Sequence, residues 1–149
     1  MTKQSVASDA LTAPHTLSYT YKRSLGAVLS RFFTALREHR FLGVKRAGGK
    51  ILFPAKEYDP DTSEKLDELV EVGQSGVVES WVWVAKPRRQ QPLAHPFAYA
   101  LVKLDGADTP FLHVVDAGSE AKMATGMRVR ARWADETKGS IDDFVFVPV

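Results

Sequence analysis

The chain has no cysteine among its 149 residues. That excludes a disulfide framework, a thiolate nucleophile and any zinc site built on cysteine ligands. Glycine and proline are few, at 10 and 8 residues, which excludes collagen-like and low-complexity architectures. No stretch approaches the roughly 20 apolar residues that a membrane span requires. The first twenty residues hold only isolated apolar positions, with no signal-peptide core. A cytoplasmic protein without a membrane partner is expected. Excess charge is also lacking: 20 Lys/Arg against 18 Asp/Glu leave +2, too even a balance to imply a polyanion partner by itself.

What is present is the composition of a globular protein, 44% hydrophobic and 26% charged, at a length that favours one compact domain with or without an appended segment. The charge is unevenly placed. Residues 1–50 carry nine basic and two acidic side chains, 51–80 carry two and eight, and the remainder nine and eight. Solvated helix faces and loops produce such blocks, and so does a nucleic-acid-binding arm.

Residues 1–23 lack periodicity and read as a flexible arm. From Ser24 to Phe41 the pattern is helical: Leu25, Val28, Leu29, Phe32, Phe33 and Leu36 fall on one stripe. Ser24 is placed to cap the first turn, Arg37, His39 and Arg40 suit the negative end of the dipole, and Gly43 can supply the left-handed stop. Residues 44–66 form a turn-rich connector with a short strand at Lys50–Phe53. Residues 66–72 fit either helix or strand. After Gly73 the texture becomes all-β, with runs at Val77–Val84, Phe97–Leu104, Phe111–Val115, Arg128–Trp133 and Phe144–Val149 separated by Asp-Gly, Gly and Lys-Gly-Ser turns. Five strands in about 75 residues are too few for an immunoglobulin-type sandwich and suit a small closed barrel of the OB type.

No active-site constellation emerges. His15, His39, His95 and His113 lack the i, i+4 partners or carboxylate context of a metal or triad site, and His113, inside a strand, reads as a packed, hydrogen-bonded residue. Gly73-Gln74-Ser75-Gly76 misses the spacing of a nucleophile elbow, because Val77 stands where the second glycine belongs. The carboxylate pairs Asp59/Asp61 and Asp142/Asp143 sit in turn sequence and read as solvated turns. The basic run Lys86-Pro87-Arg88-Arg89 follows Trp81 and Trp83 in a long loop between the first two barrel strands. It suits the phosphates of a nucleotide-bearing cofactor or, with the tryptophans exposed for base stacking, a nucleic acid.

Several segments taken together carry a family resemblance: the helix Ser24–Phe41, Gly48-Gly49-Lys50-Ile51-Leu52-Phe53-Pro54, Val70–Val78, Pro96–Gly106 and Gly126-Met127-Arg128-Val129. In order and spacing they resemble the zinc-ribbon/OB-fold proteins associated with acyl-CoA metabolism, over residues 24–149. In that family two Cys-x-x-Cys pairs hold a structural zinc. Their positions fall here at about Lys45, Gly48, Asp59 and Thr62, so the resemblance implies a degenerate ribbon without metal, its loop held by Pro54, Tyr58 and Pro60. The expected architecture is therefore mainly β: an arm (1–23), a helix plus degenerate ribbon (24–66) and a five-stranded OB-fold barrel (67–149).

The resemblance implies a non-catalytic accessory subunit docked on a thiolase-fold enzyme, such as a lipid-transfer-protein-like thiolase or aldolase acting on acyl-CoA thioesters, steroid side chains among them. The chain itself then binds no cofactor, and acyl-CoA is a shared ligand. Lys86, Arg88 and Arg89 are its expected guides for the CoA phosphates. The helix stripe exceeds what one barrel mouth shields, so Phe32, Phe33 and Phe41 are expected at the partner interface, rimmed by Arg31 and Arg37; the competing reading buries the helix against its own domain. A stand-alone OB-fold nucleic-acid binder is the alternative.

Overall fold

The computed structural model describes residues 13–149. Part of the expected arm, residues 1–12, lies outside that range. One helix, α1 (Gly26–Arg37), precedes eight strands: β1 (Phe41–Lys45), β2 (Ile51–Leu52), β3 (Leu69–Val72), β4 (Ser75–Val84), β5 (Phe97–Leu104), β6 (Phe111–Val115), β7 (Arg128–Trp133) and β8 (Phe144–Pro148). The first three form a small antiparallel sheet in the order β2-β1-β3. The last five close into a barrel in the order β4-β5-β6-β8-β7, with β7 returning to β4 and β6 beside β8 in parallel. This is the mainly β, five-stranded barrel with an N-terminal helix that the strand pattern implies.

Strict alternation builds the barrel wall. In β7, Val129 is buried and Ala131 and Trp133 half-buried, while Arg128, Arg130 and Arg132 face water. Along β5 the inward Ala98, Ala100 and Val102 are all buried. The small alanines leave room on the inner face for Trp81 and Trp83, which lie opposite Ala100 and Ala98.

The helix ends earlier than its apolar spacing predicts. Leu25, not Ser24, is the N-cap, without a side-chain bond. The left-handed residue that stops the helix is His39 (φ 57°), not Gly43. Gly43 lies inside β1, where a Cβ would stand 2.6 Å from Ile51 Cγ2 and 2.9 Å from the Leu52 carbonyl oxygen. Its missing side chain is what lets β1 and β2 approach.

The predicted interface stripe is divided. Val28, Phe32, Ala35 and Leu36 are buried, Leu29 and Phe33 half-buried, and Leu25 exposed. Phe32 and Phe41 are therefore corrected from partner contacts to core residues. The reason is the small sheet, whose apolar face adds a floor that the barrel mouth alone does not provide. Phe53 lies 6.1 Å from Phe32 and 5.4 Å from Phe41 between ring centroids. Phe41 also reaches Trp133 at 5.0 Å and Phe144 at 4.7 Å, so helix, sheet and barrel share one cluster.

The turn between β7 and β8 carries the helix. Arg37 Nη2 donates to the Lys138 carbonyl, Thr137 Oγ1 donates to the Arg37 carbonyl, and Gly139 (φ 80°) passes so close to the Phe33 carbonyl that a Cβ would stand 2.7 Å away. Asp143 organises this turn, one oxygen accepting from the amides of Lys138, Gly139 and Ser140 at 2.7–2.8 Å. It is buried rather than solvated.

Candidate functional site

The long loop 85–96 folds beside the outer face of β5 and β6. A turn at its centre is closed reciprocally: the Gln91 amide donates to the Arg88 carbonyl, and the Arg88 amide donates to Gln91 Oε1 at 2.7 Å. Its far end is tied down by Asp116, which accepts from Arg132 Nη2 at 2.7 Å and lies 3.2 Å from His95 Nε2. Burial pushes the Asp116 carboxyl up, but the bonds from Arg132 and His95 outweigh it and hold the group below the usual carboxylate range. Lys86, Arg88 and Arg89 all project from this loop into solvent, and none has an ion-pair partner among the described residues.

The same loop borders a groove of about 440 Å³ through Gln90, Pro92 and Leu93, with Tyr99 and Leu112 of the sheet and Ile141 and Phe144 across it; none of the three cations is in its lining. Its surface is largely apolar and open: Leu112 is 60% and Ile141 41% exposed. His113 closes its floor. Its Nε2 lies 2.8 Å from the Phe144 carbonyl, which can only accept, so Nε2 carries the proton. Burial lowers the His113 pKa, only partly opposed by that bond and by Asp142, so the ring is neutral at neutral pH. A hydrogen-bonded strand histidine, as its sequence position suggests, shapes the floor. An apolar trough bordered by a loop that also carries three unpaired cations can accept the apolar part of an amphiphile.

The other predicted contact residues do not converge. Arg31 lines a second groove of about 480 Å³ between α1 and the small sheet, with Leu42 and the linked side chains Glu38, Arg40 and Glu71. Arg37 lies on another side of the helix, engaged with Lys138, so the two arginines do not rim one contact. Phe33 remains half-buried, edge-on to Phe32.

The four ribbon positions do not fit a metal. Lys45 reaches Glu68 at 3.0 Å, Gly48 has no side chain, Thr62 donates to Glu64, and Asp59 is already occupied. Among the described residues no group of three potential metal ligands gathers anywhere. Arg46 stands in their place. Its guanidinium contacts both Asp59 oxygens, at 2.7 and 3.0 Å, and Asp61 Oδ2 at 2.7 Å, while Asp59 Oδ1 also accepts from the amides of Asp61 and Thr62. Asp59 is only 4% exposed, which corrects its reading as a solvated turn residue. Tyr58 and Pro60 are exposed and Pro54 half-buried, so the clasp, rather than those three residues, closes the loop. Arg46 belongs to no motif, and the Gly48-Gly49 turn beside it was its only local signal.

Comparison with known proteins agrees with the barrel. The family profile described as ChsH2, C-terminal OB-fold domain, matches residues 69–134, from β3 through β7. A chain of the solved structure described as an Ltp2-ChsH2(DUF35) aldolase is similar with a TM-score of 0.62 and 21% identity, covering 85% of this chain and 98% of that one. A protein of unknown function from the DUF35 family of Sulfolobus solfataricus is similar with a TM-score of 0.60 and 18% identity, over 80% and 84% of the two chains. Comparison with curated proteins gives no match. Residues 69–134 are thus similar to the ChsH2 C-terminal OB-fold domain, and the fold is one that DUF35 structures share.

Proposed function

We propose that this chain is a non-catalytic accessory subunit that docks on a thiolase-fold enzyme, a lipid-transfer-protein-like thiolase or aldolase, acting on acyl-CoA thioesters such as those of steroid side chains. The observation that carries the reading is the profile match over 69–134, reinforced by similarity along nearly the whole length of a chain from an aldolase complex. The site agrees in chemistry. CoA is an anionic amphiphile: the apolar groove suits its pantetheine arm, and Lys86, Arg88 and Arg89, on the loop that borders the groove, suit its phosphates. Three exposed cations on a loop steer better than they grip, since exposed ion pairs contribute only about 0–1 kcal/mol each, so the enzyme subunit supplies the main binding.

The nucleic-acid alternative draws no support from the site. Trp81 and Trp83 are half-buried against the core, and Arg128 and Arg132 are occupied by Asp105 and Asp116. The decisive experiment is purification of the full tagged chain from its native host, followed by gel filtration and mass spectrometry. A thiolase-fold subunit retained stoichiometrically is the expected result. A chain that elutes without one and binds oligonucleotides with a steep salt dependence overturns the proposal.

A further inference from the structure

The parallel strands β6 and β8 share a single bridge, Val115 with Phe146. Phe144, two residues earlier on β8, is not part of that ladder, and its carbonyl takes the His113 imidazole instead. The ring therefore stands where the two strands part, under the groove that it helps to line. Three neighbours hold it in one orientation: Phe111 stacked at 5.1 Å, Phe144 tilted at 4.3 Å and Phe146 edge-on at 5.8 Å between ring centroids. Because Nε2 carries the proton to Phe144, Nδ1 of the neutral ring keeps a bare lone pair. No described residue donates to it, yet no fully buried side-chain nitrogen or oxygen among the described residues lacks a partner. Nδ1 thus has open surface, and His113, only 8% exposed, has that surface at the groove floor.

The rest of the lining selects what meets this lone pair. It holds no Lys or Arg, and its one charged side chain is the carboxylate of Asp142, so a phosphate or carboxylate is repelled. The Tyr99 hydroxyl and the Gln90 amide are free to donate, since neither bonds to another described side chain or main-chain group. An uncharged ligand that gives one hydrogen bond and accepts another fits, and a secondary amide does both across one planar group. We infer that the groove binds a secondary amide carried on an apolar chain, its N–H donated to His113 Nδ1 and its carbonyl accepting from Tyr99 or Gln90. The flanking methylenes pack on Leu93, Leu112 and Ile141. A ligand of the same shape without the N–H leaves the lone pair unpaired in a partly dry site and is discriminated against for that reason. The amide chemistry rests on the groove alone; that the amide belongs to the pantetheine arm of CoA rests on the accessory-subunit reading.

Nitrogen NMR of the full chain, labelled at its histidine nitrogens and titrated with pantetheine, tests this assignment. The Nδ1 resonance of His113, identified through His113→Gln, is expected to move upfield as the lone pair accepts, while Nε2 keeps its proton. An analogue of pantetheine with ester oxygen in place of each amide N–H should leave Nδ1 unmoved and bind at least about fivefold more weakly. His113→Phe loses affinity for pantetheine by a similar factor. His113→Gln, which keeps a donor for the Phe144 carbonyl and an acceptor for the ligand, retains most of it. The nitrogen shift and the ester analogue are read on the wild-type chain, so they decide the matter even where His113→Phe fails to fold. No binding of pantetheine, an unmoved Nδ1 resonance at saturation, or equal affinity for amide and ester overturns the proposal. These measurements use the chain without an enzyme subunit, so their failure leaves the co-purification result standing, and the reverse.

Discussion

The barrel and the connector take their shapes from different forces. In the barrel, alternating apolar residues and an unbroken strand ladder determine the wall, and the few polar side chains inside it, such as His113, bond to main chain. In the connector, residues 46–66, the main chain is positioned by polar side chains: Asp59 gathers Arg46 and two amides, Asp108 accepts from the Ile51 amide, and Thr109 both accepts from and donates to Phe53. A ladder spreads its stability over many equivalent bonds, whereas a clasp concentrates it in one group. The barrel should therefore tolerate single changes that open the connector.

Phe41 is where this contrast breaks down, because its ring belongs to both regions. Phe41→Ala removes contacts with Phe53 on the connector side and with Trp133, Phe144 and Phe146 on the barrel side. A loss of about 3–5 kcal/mol is expected in urea unfolding, with both regions lost in one transition. Two separated transitions in the wild-type protein would show that connector and barrel fold apart.

Asp59 sharpens the contrast. Burial pushes its carboxyl up, but the amides of Asp61 and Thr62 and the Arg46 guanidinium outweigh this and hold it below its ordinary 3.8. The unfolded chain then takes up the proton first, so the stabilisation is complete above 3.8 and is lost as pH falls through the folded-state value. Asp59→Asn is expected to lower Tm by about 5 °C at neutral pH and to make residues 56–65 sensitive to protease. The difference from wild type should shrink as pH falls below 3.8. Chelators should leave the wild-type melting curve unchanged; unfolding by chelation, with one tightly held zinc per chain, would replace the clasp by a metal.

Gln74 joins the two regions more lightly. Its Nε2 donates to the His39 carbonyl at 2.6 Å and its Oε1 accepts from the Trp133 indole at 2.8 Å, beneath the stacked His39 and Trp133 rings. Gln74→Ala is expected to cost about 1–2 kcal/mol. Faster hydrogen exchange at residues 39–41, with unchanged exchange in β5 and β6, identifies the loss as one of docking.

These forces also explain what the sequence reveals. Phe97–Leu104, Phe111–Val115 and Arg128–Trp133 are strands with the boundaries their patterns predict, since alternation against a common core is a local property. The exposed loop position of Lys86, Arg88 and Arg89 is legible too, because a polar run after a strand is a local signal. The end of α1 is not, because His39 takes its left-handed turn where Gln74 and Trp133 hold it, far along the chain. Nor is the burial of Phe32 and Phe41, which depends on a floor supplied by Phe53. Arg46 and Asp59 read as ordinary loop charges until the connector brings them together across thirteen residues.

The smallest effect on stability is expected at loop 85–96, where the comparison predicts a separation of folding from function. Lys86, Arg88 and Arg89 touch neither the ladder nor the clasp, so replacing all three by Glu should change stability by no more than about 0.5 kcal/mol. If they guide CoA phosphates, the same replacement lowers kcat/KM of the assembled enzyme for acyl-CoA. The loss should be large at low salt and fade once the Debye length falls well below about 10 Å. A fall in kcat at saturating substrate is not expected, because steering acts on encounter. Lys86 lies nearest the end of β4, so Arg88→Glu/Arg89→Glu is compared with the triple variant. An effect shared by both belongs to the two arginines; one confined to the triple variant belongs to Lys86. Unchanged kcat/KM at low ionic strength in both variants would remove these cations from the site and leave the groove without a charged end.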